Sequence, residues 1–183
     1  MKRIAVFCAS SDGNIPVYKD TAYDLGKYLA ANDFELVYGG SNVGLMGAVA
    51  DGALQNNGKA IGVLPTFLKH KELAHIGLTT LIEVENMHER KMKMHELSDA
   101  VITLPGGYGT FEELFEMLTW AQLKLHFKPI GLLNVNGFYD PLVQMVQNML
   151  SAGLLRPEYE QLLIVRNDIT SLIAAMKAYK PLL

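Results

Sequence analysis

The chain has 183 residues, half of them apolar and 19% charged, with 16 lysines and arginines against 19 acidic residues for a formal charge of -3. That balance belongs to one soluble globular domain and excludes a disordered or fibrous chain and the strongly basic field of a nucleic-acid binder. One cysteine, Cys8, excludes an internal disulfide and a multi-cysteine zinc site, and fits a reducing compartment, so a cytoplasmic location is expected.

The chain opens with Met1-Lys2-Arg3 and an apolar run from Ile4 to Ala9, six residues that are too few for an export signal. Polar or charged residues interrupt every later hydrophobic stretch, so no membrane helix of roughly 20 apolar residues is expected. In chain order, short runs rich in β-branched residues predict strands over 4–9, 34–38, 60–64, 80–84, 100–104, 130–134 and 162–165. Helical periodicity between them predicts helices over 17–31, 45–56, 86–97, 110–125, 141–151 and 169–179. Strands alternating with helices imply right-handed crossovers and a parallel sheet covered on both faces. The expected fold class is α/β: a Rossmann-like three-layer fold, a mostly parallel sheet flanked by helices. No repeat or linker divides the chain, so one domain spans residues 1–183.

Ten of the 16 glycines fall in two places, seven between Gly39 and Gly62 and three between Gly106 and Gly109. Three polar, glycine-rich loops follow the first, second and fifth predicted strands: Ser10-Ser11-Asp12-Gly13, Gly39-Gly40-Ser41-Asn42-Val43-Gly44 and Pro105-Gly106-Gly107-Tyr108-Gly109-Thr110. Ligands of such sheets bind beyond the carboxyl ends of the strands, where these loops meet. In the last loop glycine permits positive φ and close backbone approach, and a helix beginning at Thr110 would offer free N–H groups to a phosphate. Thr110-Phe111-Glu112-Glu113 fits a capping box equally well, in which Glu113 merely closes its own helix. Gly39 to Gly44 has the glycine spacing of a Walker loop but Leu45 in place of its lysine, and no loop reads G-x-G-x-x-G, which disfavours an ATPase or a dehydrogenase.

In Met87-His88-Glu89-Arg90-Lys91-Met92-Lys93-Met94, positions 87, 90, 91 and 94 share one helical face, so two cations stand among methionines. They await an anion, or they snorkel to water along their own stems. Four of the five histidines, His70, His75, His88 and His95, lie close together, yet no H-E-x-x-H spacing occurs and no metal is expected. Cys8 reads as a small core residue, and there is no G-x-S-x-G elbow for a serine hydrolase.

Pro105-Gly106-Gly107-Tyr108-Gly109-Thr110-Phe111-Glu112-Glu113 resembles the P-G-G-x-G-T-x-x-E signature of the Lonely Guy (LOG) family, and Met87-His88-Glu89-Arg90-Lys91 resembles its M-H-x-R-K signature. Tyr38-Gly39-Gly40, Gly44-Leu45-Met46-Gly47, Thr119-Trp120-Ala121-Gln122-Leu123 and the stretch Lys128-Pro129-Ile130-Gly131-Leu132-Leu133-Asn134 are similar too, so the likeness spans nearly the whole chain. It implies a cytokinin riboside 5′-monophosphate phosphoribohydrolase, an N-glycosidic hydrolase that converts AMP or N6-substituted AMP to free base and ribose 5-phosphate. Family members often carry the label lysine decarboxylase, but nothing in this sequence marks a pyridoxal phosphate lysine, and no cofactor is expected.

The resemblance implies catalytic roles for Arg90 and Glu113. It implies substrate contacts at Glu72, Met87, Lys91, Gly106, Gly107, Tyr108, Gly109, Thr110, Glu112 and Thr119, with Gly39, Gly40 and Ser10 walling the same cleft. Ala9 and Ser41 stand where the family motifs carry glycine, each adding a side chain near the site. The expected chemistry places the 5′-phosphate on the backbone of 106–110, Glu112 or Glu113 on the ribose, and Arg90 where it anchors or polarises the nucleotide. A carboxylate beside the anomeric carbon stabilises the oxocarbenium-like transition state more than the ground state. The alternatives are a carrier that holds a nucleotide or phosphate ligand without catalysis, and a structural oligomerisation domain. A homodimer is implied, with apolar residues around the predicted helix at Phe115, Leu118, Trp120 and Leu123.

Overall fold

The computed structural model describes residues 1–68 and 74–182. Seven strands form one sheet: β1 (Arg3–Phe7), β2 (Glu35–Tyr38), β3 (Lys59–Pro65), β4 (Thr80–Val84), β5 (Ala100–Thr103), β6 (Ile130–Leu133) and β7 (Leu163–Arg166). Six helices accompany them: α1 (Pro16–Ala31), α2 (Gly44–Leu54), α3 (Met87–Leu97), α4 (Tyr108–Gln122), α5 (Asp140–Ser151) and α6 (Ile169–Ala178). All seven predicted strands are present. The sheet is wholly parallel, in the order β4-β3-β2-β1-β5-β6-β7, where a mostly parallel one was expected.

Runs such as Ile4-Ala5-Val6-Phe7 are continuously apolar because both sides of the strand are covered. Ile4 and Val6 enter one core with Leu25, Leu29 and Val49, from α1 and α2, and Ile173 of α6. Ala5 and Phe7 enter the other with Met94 of α3 and Leu114 and Met117 of α4. α1 shows how the sequence sets this up: Pro16 fixes its first turn, and Ala22, Leu25, Gly26 and Leu29 recur on its buried stripe.

From β1 the chain builds outward to β4, then crosses back to lay β5 on the other side of β1. The two loops leaving β1 and β5 therefore diverge to opposite faces of the sheet and open a crevice between them, the place where parallel sheets bind ligands. Leu104 N–H donates to Phe7 O at 2.9 Å and Ala9 N–H to Pro105 O at 3.2 Å, stitching the two loops together at its base. Met46 N–H donates to Ala9 O at 3.3 Å, which ties in the start of α2.

Candidate active site

A cleft of about 290 Å³ occupies this crevice, walled by α3 on one side and by the start of α4 on the other. α3 begins where Asn86 accepts from Glu89 N–H at 3.0 Å while the Glu89 carboxylate accepts from Glu85 N–H at 2.9 Å. This reciprocal cap fixes the helix so that Met87, Arg90 and Met94 turn toward the cleft. Arg90 does not snorkel; it is 6% exposed. Its Nη1 lies 3.9 Å from Met87 Sδ and its Nη2 4.0 Å from Met46 Sδ, and its buried Nε has no hydrogen-bond partner among the described residues. Thioethers are weak acceptors, so the guanidinium keeps most of its donor capacity for something else. Gly39 makes room for it, since a Cβ there would fall on Nη2 well inside van der Waals contact and 2.8 Å from Met46 Sδ.

α4 starts at Tyr108, two residues before the predicted Thr110, with Gly107 as its N-cap and no side-chain cap. The capping-box alternative is thereby excluded: Thr110 belongs to the first turn, buried against Gly106, whose missing Cβ it would otherwise strike, and Glu113 lies a turn further on. Gly106, Gly107 and Gly109 do not use the positive φ that glycine permits, whereas Gly40 and Gly44 do. Gly107 and Gly109 serve approach instead, because a Cβ built on either meets nothing within 4 Å. The first helical hydrogen bond runs from Phe111 N–H to Gly107 O at 3.1 Å, leaving the N–H groups of Tyr108, Gly109 and Thr110 without helical acceptors at the positive end of the dipole. The loop is braced from behind by the Tyr139 hydroxyl, which donates to Leu104 O at 2.6 Å.

Glu113 lines the cleft together with Arg90. Burial pushes its carboxyl up to about 7 against the pull of Arg90, and the Glu112 charge adds to the rise. Burial, aided by the Glu113 charge, drives the Cys8 thiol above its ordinary range, so Cys8 stays protonated and is no nucleophile. Lys91 donates to Glu112 and, at 2.9 Å, to Glu116.

Of the residues singled out from sequence, Arg90, Glu113, Met87, Gly107, Tyr108, Gly109, Thr110, Glu112, Gly39 and Ser10 line this one cleft. Gly106 lies behind the loop, in a side pocket with Ala9 and Phe138. Gly40 supports the turn at φ +82° and does not line the cleft. Thr119 donates to Phe115 O at 2.7 Å and lies with Leu118 and Gln122 in a separate hollow between α4 and α5. Glu72 and His70 lie outside the described residues. Ser11 and Met46, which also line the cleft, were not singled out as site residues; the Gly44-Leu45-Met46-Gly47 stretch carried the only signal for Met46. Among the described residues, no group of three or more His, Cys, Asp or Glu side chains is gathered as a metal site. His75 bonds to Asp51 at 3.1 Å, and His126 donates to Met117 O at 3.0 Å.

A family model described as "Possible lysine decarboxylase" matches residues 46–176. A protein of Oryza sativa subsp. japonica named "Probable cytokinin riboside 5'-monophosphate phosphoribohydrolase LOGL9" is 45% identical over 180 residues, 98% of this chain and 79% of its own. Cytokinin riboside 5′-monophosphate phosphoribohydrolase LOG5 of Arabidopsis thaliana is 41% identical over 180 residues, again 98% of this chain and 79% of its own. The chain belongs to the LOG family. Among solved structures, the molybdenum cofactor binding protein of Rippkaea orientalis superposes with a TM-score of 0.72 at 24% identity over 97% of both chains. The Moco carrier protein of Chlamydomonas reinhardtii gives the same TM-score and identity over 97% of this chain and 96% of its own, a likeness of fold. Against the LOG motifs, the Ala9 methyl does reach the cleft wall, whereas Ser41 is fully buried with its Oγ accepting from Val43 N–H at 3.3 Å, off the cleft.

Proposed function

We propose that this cleft hydrolyses the N-glycosidic bond of AMP and of N6-substituted adenosine 5′-monophosphates, the cytokinin riboside 5′-monophosphates, to free base and ribose 5-phosphate. The observation that carries the reading is the pairing of Arg90 and Glu113 in one cleft with the N–H groups at the start of α4 that have no helical acceptor. Those N–H groups receive the 5′-phosphate, which also gains from the helix dipole. The ribose then lies along the first turns of α4, with its anomeric carbon beside Glu113. As the C1′–N bond breaks, its electron pair leaves with the base and positive charge builds on the ribose, where the Glu113 carboxylate stabilises it. Water adds to C1′ and gives up a proton to Glu113, and the departing base takes a proton up in turn. Arg90, without a carboxylate partner among the described residues, anchors or polarises the nucleotide. Met87, Gly39 and Ser10 complete the wall, and Glu112 faces the ribose hydroxyls.

The enzyme acts as a homodimer in the cytoplasm and takes no nucleic acid in this reading. Incubation with AMP followed by chromatography should show adenine and ribose 5-phosphate in equal amounts, and adenosine, lacking the phosphate, should be cleaved far more slowly. Binding of AMP with no adenine released would make the protein a carrier and overturn the proposal.

A further inference from the structure

Lys91 stands next to Arg90 in sequence, yet the two cations are deployed differently. Arg90 lines the cleft with no carboxylate partner among the described residues, while the Lys91 side chain, 9% exposed, does not line it. Its ammonium is bonded to Glu112 and to Glu116, one on each side of Glu113 in sequence. Successive turns of α4 thus bring three carboxylates together near one lysine of α3. Burial of its ammonium opposes the charged form of Lys91, but the bonds to Glu112 and Glu116 outweigh it and hold Lys91 firmly protonated.

We propose that Lys91 is a positioning residue for the hydrolysis: by fixing Glu112 and Glu116 and offsetting their charges it weakens the repulsion that Glu113 feels from them as it faces the ribose. The inference rests on the hydrolase reading above. The groups that face Glu113 are Arg90 and Lys91 from α3, Glu112 and Glu116 from its own helix, and the protonated Cys8 beyond β1. Arg90 and Lys91 favour the carboxylate; Glu112 and Glu116 oppose it. Removing Lys91 deletes one favourable charge and releases two unfavourable ones, so Glu113 should take its proton at a higher pH. Since the carboxylate is the working form, the fold-loss of rate should be largest below neutral pH and should shrink in alkali.

The test compares Lys91→Met, Lys91→Arg, Lys91→Met with Glu116→Gln, and Glu116→Gln alone. It follows kcat/KM for AMP against pH, the affinity for ribose 5-phosphate by calorimetry, and the Glu113 carboxyl by carbon NMR. Lys91→Met should move the acidic limb and the carboxyl titration up by about one pH unit, with ribose 5-phosphate affinity in alkali changed by less than about twofold. Lys91→Arg should restore the limb, and Glu116→Gln should bring it part of the way back. If Lys91→Met fails to fold, Glu116→Gln alone remains decisive, because it should move both limb and titration to lower pH. An unmoved titration in these variants overturns the inference, as does an equal loss of ribose 5-phosphate affinity at every pH, which would put Lys91 on the nucleotide. Wild-type protein that releases no adenine would defeat the hydrolase reading while leaving the NMR titration to judge this one.

Discussion

Burial raises the Glu113 carboxyl from its usual 4.5 to about 7, so the charged form that the chemistry needs is the form the fold resists. Its contribution to stability is fully present below about pH 4.5 and is lost as pH rises through about 7. Glu113→Gln, neutral at every pH, should therefore melt higher than the wild type at pH 8, with the gap closing in acid, while kcat falls by roughly 10²- to 10⁴-fold. A variant that kept wild-type rates would remove Glu113 from its role, and one that melted no higher than the wild type at pH 8 would contradict a buried charge there. Gly39 gives a complementary case. A Cβ there displaces the far end of the Arg90 side chain, which can move, and no strand backbone. Gly39→Ala should leave the melting temperature nearly unchanged and lower kcat/KM by about 10²-fold, the cost of misplacing a reacting group. Arg90 and Glu113 were legible in the sequence because each lies in a dense local motif. The reason for Gly39 was not, because its neighbour Arg90 arrives from a helix 51 positions further along the chain.

At the scale of elements, the alternation of short β-branched runs with longer periodic segments carried all seven strands and six helices, and only their ends differ. The start of α4 shows why ends are hard to read. Thr110 and Glu113 have the spacing of a cap, but packing of Thr110 under Gly106 pulls the helix back to Tyr108 and gives the threonine a buried place within the first turn. The three glycines of this loop consequently have different duties, which single substitutions separate. Gly106→Ala drives a methyl into Thr110 and should destabilise the fold and the site together. Gly107→Ala and Gly109→Ala have open space before them. They should melt like the wild type and lose affinity for AMP and ribose 5-phosphate while binding free adenine as before. Calorimetry with the three ligands checks this; adenine binding lost in parallel would argue against a phosphate cradle.

At the scale of the whole molecule, a charge of -3 conceals an inward guanidinium on α3, and the sheet order turns three distant loops into one site. The same scale exposes what one chain leaves uncovered. α4 buries Leu114, Met117 and Ala121 on its own sheet, and Leu118 and Trp120 pack partly against the same core, which leaves Phe115 and Leu123 of the predicted apolar set outside it. Leu123 is 62% exposed and Leu125 66% exposed just past the helix, with Phe115 and Phe127 also open to solvent. Large apolar residues left this exposed within one short stretch of chain are candidates for an interface. A second copy of the chain is the occupant expected from the family resemblance, and a twofold axis would set the same patch against itself. Light scattering should then give about twice the 20.2 kDa of the chain. Leu123→Glu with Leu125→Glu should reduce that mass to a single chain, because an isologous contact receives every new charge twice and places like charges face to face. A wild-type mass of one chain at working concentration would rule the dimer out, and an unchanged dimer in the double variant would move the interface to another face of the molecule.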